Sequence, residues 1–118
     1  MFPRELMQEL ESCQRRGELC VSAISILEIA RLVALSRYDL MMSVEEFVEE
    51  GTGDGGLRLL DLSPRILIAS TRLPGTVDRD PSDRLLIATA REHGLTLLTR
   101  DKDILSYAAQ GHLNVRKL

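Results

Sequence analysis

An α/β fold with parallel strands is what this sequence predicts, on three observations. Short apolar runs alternate with helical stretches along the whole chain, the pattern of strands joined by crossover helices. Most helical stretches open on a Ser or Asp and close at a Gly or Pro, which are start and stop signals with a stereochemical cause. Acidic residues fall just after the apolar runs, where open α/β sheets gather their ligands.

Leu6, Met7, Leu10 and Cys13 share one helical face, with Pro3 tolerated in the first turn and Gly17 as the stop. Glu18 to Ser22 reads as a short strand. The second helix begins near Ser22 or Ser25 and carries Ile26, Ile29, Ala30 and Val33. Ser43 opens a third helix, with Glu46 at the capping-box position and Phe47 inside. Gly51-Thr52-Gly53-Asp54-Gly55-Gly56 is a loop; without a following Lys-Ser/Thr it does not read as a phosphate cradle. Leu57 to Leu62 predicts a strand, and Ser63-Pro64 a capped helix that Pro74-Gly75 breaks. Asp80-Pro81 starts the most apolar helix, which runs to about His93 and stops at Gly94. A strand over Leu95 to Thr99, a helix over Asp101 to Ala109 and an edge strand over Asn114 to Leu118 complete the order.

The 118 residues suffice for one domain, read as 1–118, and are too few for two. Aromatics make up 3%, so the core must come from aliphatic side chains. A net charge of -3 argues against a surface built on phosphate contacts. That objection lifts if the acids gather at a metal site, where the cation reverses the local sign. Cys13 and Cys20 have no zinc-like spacing and read as reduced thiols. His93 and His112 stand at no ligand spacing. Neither a leader peptide nor a run of ~20 apolar residues is present, so the expectation is a soluble, cytoplasmic protein with no membrane partner.

Four acids draw attention. Glu28 lies in the helix that leaves the first visible strand, Asp83 in the opening turn of the most apolar helix, and Asp101 directly after Leu97-Leu98-Thr99-Arg100, with Asp103 two residues on. Carboxylates brought together repel, and a hard divalent cation such as Mg²⁺ or Mn²⁺ relieves them, a site suited to phosphodiester hydrolysis. Each acid also has a plain structural reading. Ser25 and Glu28 form a capping box, Asp80 and Asp83 stand in the same relation, and Asp101 is placed to cap its helix. Arg79, Arg84 and Arg100 flank the acids and fit phosphate contacts, although Arg84 equally fits an i,i+4 pair with Asp80.

Three runs resemble the PIN-domain ribonucleases of the VapC toxin type, in family order: Val21-Ser22-Ala23-Ile24-Ser25-Ile26-Leu27-Glu28-Ile29-Ala30, Asp80 to Ala90 (DPSDRLLIATA), and Leu97-Leu98-Thr99-Arg100-Asp101. The likeness covers nearly the whole chain from the first helix onward. It implies a three-layer α/β/α sandwich with a parallel sheet, a homodimer, a cognate antitoxin and a metal-dependent endoribonuclease acting on RNA. It further implies Glu28, Asp83 and Asp101 as catalytic metal ligands and Asp103 as an auxiliary, with Ser25, Arg84, Thr99 and Arg100 beside the substrate. The family opens with a hydrophobic central strand ending in Asp, whereas here Met1-Phe2-Pro3-Arg4 leads straight into the first helix. Glu5, Glu9 and Glu11 follow no strand-like run and do not replace that Asp. The expectation is therefore a loosely held cation and impaired activity. The rival reading is an inactive PIN-fold module that binds an antitoxin-like partner. A receiver-like signalling domain also clusters acids at strand ends, but lacks here its Lys after a late strand.

Overall fold

A computed structural model describes residues 4–118, and the expectation for Pro3 lies outside that range. The chain divides into two compact units, Met1–Asp61 and Leu62–Leu118. The first holds α1 (Arg4–Arg15), β1 (Cys20–Ser22), α2 (Ala23–Ala34), α3 (Val44–Thr52) and β2 (Arg58–Leu60). The second holds α4 (Pro64–Ala69), α5 (Pro81–His93), β3 (Leu97–Thr99), α6 (Lys102–Ala108) and β4 (Val115–Lys117). Every element expected from sequence is present, in the expected order.

In the first unit β1 and β2 run parallel, with Cys20 opposite Arg58, Val21 opposite Leu59 and Ser22 opposite Leu60. Ser22 ends β1 and caps α2, its hydroxyl accepting the Ile24 N–H at 3.2 Å. Ser25 therefore lies inside the first turn of α2, and Glu28 sits beyond capping reach. The capping-box reading of Glu28 is corrected by this early start. Ser43 behaves as expected and accepts the Glu46 N–H at 3.0 Å. Leu6 and Ile24 are this unit's buried apolar side chains among the described residues, while Leu27, Leu35, Tyr38 and Met41 are exposed.

In the second unit β3 and β4 are also parallel, with Leu97 opposite Val115 and Thr99 opposite Lys117. The parallel α/β expectation holds. Pairing among the described residues falls into two two-stranded ladders, one in each unit, rather than a single continuous sheet. α4 ends at Ala69, before the expected break at Pro74. The Ser70 hydroxyl donates to the Leu67 carbonyl and the Thr71 hydroxyl to that of Ile68, so side chains take the carbonyls that further helical turns would use.

α5 is the axis of this unit. Asp80 caps its start, Pro81 occupies the first turn, and Gly94 closes it with φ +65 in the left-handed region that glycine tolerates. Its inner face places Ile87 and Ala90 against Ile104, Tyr107 and Leu113, with Leu73, Val77, Leu97 and Val115 packed around them. The Tyr107 hydroxyl, reaching out of this core, donates to the Pro74 carbonyl at 2.8 Å. Truncation of Ile87 to Ala should cost about 2–5 kcal/mol in urea unfolding, because the site is enclosed on every side. Tyr107→Phe should cost about 1 kcal/mol, the value of one hydrogen bond whose acceptor is left behind. The reverse ranking would show that the core is not centred on α5.

Candidate functional site

The loop between α4 and α5 is fixed at three points, and this decides where its acids lie. Tyr107 holds the Pro74 carbonyl. Gln110 brackets Thr76, its side-chain oxygen accepting the Thr76 N–H at 2.9 Å and its side-chain amide donating to the Thr76 carbonyl at 2.6 Å. Gly75, at φ +74, makes that approach feasible, since a Cβ there would collide with the Gln110 side chain and press on His112. Arg84 then reaches back from α5, its Nε donating to the Asp78 carbonyl at 2.8 Å and its NH1 to the Ser70 carbonyl at 3.2 Å.

That last contact answers the question the sequence left open for Arg84. Its guanidinium does not pair with Asp80; it clamps two backbone carbonyls and fixes the loop that carries Asp78. A half-buried Arg so engaged is a positioning residue, whereas Arg79 and Arg100 remain exposed beside the acids.

Asp78, Asp83 and Asp103 come together, each offering a carboxylate oxygen within 4.8 Å of the others. Asp83 lies in the first turn of α5 and Asp103 in that of α6. The intervening caps are as the plain reading has them. Asp80 accepts the N–H groups of Ser82 and Asp83. Asp101 accepts those of Asp103 at 2.9 Å and Ile104 at 3.0 Å, through one oxygen. The buried Thr99 hydroxyl accepts the Asp101 N–H at 3.0 Å, fixing the turn from β3 into α6.

Of the residues named from sequence, Asp83 and Asp103 thus enter the cluster. Asp101 stands close enough for its charge to act on Asp83, with one oxygen committed to capping. Glu28 and Ser25 belong to the first unit, both half-buried on α2. The sequence reading missed Asp78. Its signal was the spacing Asp78-Arg79-Asp80-Pro81-Ser82-Asp83, three acids in one short run, of which one caps and two converge.

The Asp83 carboxyl is pushed up to about 7 from an ordinary 3.8. Burial is the main cause; a hydrogen bond with Asp78 follows, then the negative charges of Asp101, Asp78 and Asp80. A carboxyl group this reluctant to ionise among its own kind marks a place short of positive charge. The donor set suits a hard cation. Hard divalent cations take carboxylate oxygens as ligands. With their oxygens within 4.8 Å of one another, Asp78, Asp83 and Asp103 are the residues that would hold such an ion.

Comparison with known proteins comes to the same architecture. Residues 2–110 match the PIN domain family. Ribonuclease VapC22 of Mycobacterium tuberculosis (strain ATCC 25618 / H37Rv) is 32% identical over 101 residues, 86% of this chain and 76% of the relative. The crystal structure of VapBC2 from Rickettsia felis bound to a DNA fragment from their promoter superposes with a TM-score of 0.67 at 15% identity, covering 98% of this chain and 86% of the other. That of DNA-bound VapBC from Salmonella typhimurium gives 0.65 at 17% identity, covering 98% and 85%. At those identities the two structures speak for the fold.

The raised Asp83 carboxyl carries a sign that can be measured without metal. The native state keeps this proton to a higher pH than the unfolded chain does, so its stabilising contribution is complete below about pH 4 and lost as pH rises through about 7. In chelator, Asp83→Asn should therefore gain in melting temperature relative to the wild type between about pH 5 and about pH 8. A constant difference across that range would show an ordinary surface carboxylate.

Proposed function

The chain belongs to the PIN-domain family, VapC type, and from that premise we propose that it is a Mg²⁺- or Mn²⁺-dependent endoribonuclease, the toxin of a toxin–antitoxin pair. Its substrate is RNA, its partners are a cognate antitoxin and a second copy of itself, and residues 1–118 act as a single PIN-like domain, in keeping with a family match that runs through both units. Among the described residues no helix is long and apolar enough to cross a membrane. The observation that carries the reading is the convergence of Asp78, Asp83 and Asp103 with the Asp83 carboxyl pushed up to about 7.

Asp78, Asp83 and Asp103 would hold the cation. It supplies a water acidic enough to ionise near neutral pH and offsets charge on the phosphate. Asp83, whose raised carboxyl is hydrogen-bonded with Asp78, would have to release its proton to serve as a ligand. Asp101 adds negative charge to the site, and Thr99 keeps it in register through the Asp101 N–H. Arg79 and Arg100 are placed on the exposed side to meet phosphate oxygens. Arg84 serves the site indirectly, by holding the Asp78 backbone. Glu28 joins the set on the resemblance of its segment alone, as does Ser25 for substrate contact.

Because binding displaces a proton, calorimetric affinity for Mg²⁺ or Mn²⁺ should rise with pH between about 6 and about 8, and Asp83→Asn should abolish that dependence. Cleavage of an RNA substrate pool with Mg²⁺ should fall about a hundredfold or more in Asp83→Asn and in Asp78→Asn, since small displacements of metal and phosphate are costly. Glu28→Gln tests the fourth acid in the same assay. Cleavage that survives Asp83→Asn unchanged, or persists in chelator, would overturn the reading.

A further inference from the structure

Two contacts within the second unit set the direction of α4 against α5. Arg65, in the first turn of α4, pairs at 2.8 Å with Glu92 in the last turn of α5. At the other end the Ser70 carbonyl, just past α4, accepts from Arg84 early in α5 at 3.2 Å. The two helices are therefore antiparallel, and a groove of about 510 Å³ runs along them. Roughly 12 Å separates its ends, the rise from Arg84 to Glu92 at 1.5 Å per residue. One end leads to the acids. Arg84 there also donates to the Asp78 carbonyl, and Pro74, a wall of the groove, begins the anchored loop that carries Asp78.

The lining of this groove combines two kinds of surface. Its floor is apolar, with Ile68, Leu73 and Ala88, and its rim is basic, with Arg65, Arg72 and Arg91 against Glu92 as the single acid. Glu92 is already engaged by Arg65. Arg91 donates to the His112 carbonyl, a neutral partner that leaves its positive charge in place. Arg72 is exposed and makes no ion pair among the described residues. A net basic groove is out of character for a chain of net charge -3. Ile68, 52% exposed at its edge, leaves apolar surface in water.

We propose that the α4–α5 groove binds the single-stranded RNA flanking the cleaved bond, with Arg72 and Arg91 meeting phosphates and Ile68 and Leu73 meeting unpaired bases. The inference rests on the nuclease reading of the acid cluster and adds where the next stretch of substrate lies. Single-stranded nucleic acid presents what this lining accepts, an anionic backbone beside flat apolar bases. A duplex keeps its bases stacked and can use the rim alone. An acidic peptide also suits rim and floor, but followed toward the loop it brings carboxylates up to Asp78, Asp83 and Asp103. RNA suits both places, since phosphate oxygens are themselves ligands of a hard cation. The lining offers charge and apolar contact, so binding tolerates any base sequence.

Fluorescence anisotropy with a labelled pool of single-stranded oligoribonucleotides, in chelator, reads binding without cleavage. Arg72→Glu should weaken binding about tenfold or more, by a similar factor whatever the sequence. Arg72→Ala should lower the slope of log affinity against log salt by about 0.7, the value of one phosphate contact on a single strand. Ile68→Ser should weaken single-stranded RNA without changing that slope, and should leave duplex RNA bound as before. Arg72 and Ile68 are exposed, and matching circular dichroism melts would confirm folding. Calorimetric Mn²⁺ affinity should be the same in Arg72→Ala as in the wild type, because Arg72 lies outside the acid cluster. A wild type that binds no RNA, or variants that bind it as the wild type does, would overturn the proposal. So would displacement of the RNA by polyglutamate at equal charge, which would assign the groove to a protein partner. The nuclease reading fails by a different result, RNA cleavage that survives Asp83→Asn, and binding in chelator decides the groove in either case.

Discussion

Three carboxylates held within 4.8 Å of one another must be forced together, and the constraint that does this is the anchoring of the 74–78 loop. A segment between two helices would by default swing out and let Asp78 separate from Asp83. Here alternate carbonyls of the loop are held: Pro74 by Tyr107, Thr76 by Gln110, Asp78 by Arg84. The anchors come from α5, from α6 and from the turn just after α6, and the first turns of those two helices carry Asp83 and Asp103. The repulsion that would spread the acids is opposed by hydrogen bonds to the loop backbone, at Pro74 and Thr76 and at Asp78 itself.

The order of elements was legible because it rests on local stereochemistry. Ser43, Ser63, Asp80 and Asp101 cap helices that begin at the next residue, and Gly94 ends α5 with the left-handed turn its position demands. α4 was the exception. Its end depends on Ser70 and Thr71 turning their hydroxyls back onto the helix, a choice a sequence leaves open until the packing of the following segment is known. The start of α2 was left between two residues, and the structure takes the first. Ser22 and Ser25 are chemically equal candidates, and only the end of β1 at Ser22 decides between them.

The site was half legible for a related reason. Sequence reasoning treated capping and metal binding as rival explanations of each acid. In the structure they are divided between neighbours: Asp80 caps and Asp83 converges, Asp101 caps and Asp103 converges. The cap is what places the second acid, because fixing the helix start fixes the direction of the first-turn side chains. Choosing the acid directly after the strand, as at Asp101, selects the residue whose position is most predictable and whose oxygen is already engaged. Asp78 escaped notice because its role depends on Arg84, Tyr107 and Gln110, which reach it from up to tens of residues away in sequence.

Burying acids against one another costs stability, and the Asp83 carboxyl at about 7 is the measure of that cost. A protein selected for stability alone would replace one of the three with Asn and keep the hydrogen bonds. Retaining the acids makes physical sense where a cation is bound, since binding converts their mutual repulsion into affinity. Carboxylates within a few ångströms of one another act on a small ion with little screening by salt. Ordinary salt should therefore do little to loosen a cation held by Asp78, Asp83 and Asp103, whereas it would weaken contacts made by exposed arginines such as Arg79 and Arg100.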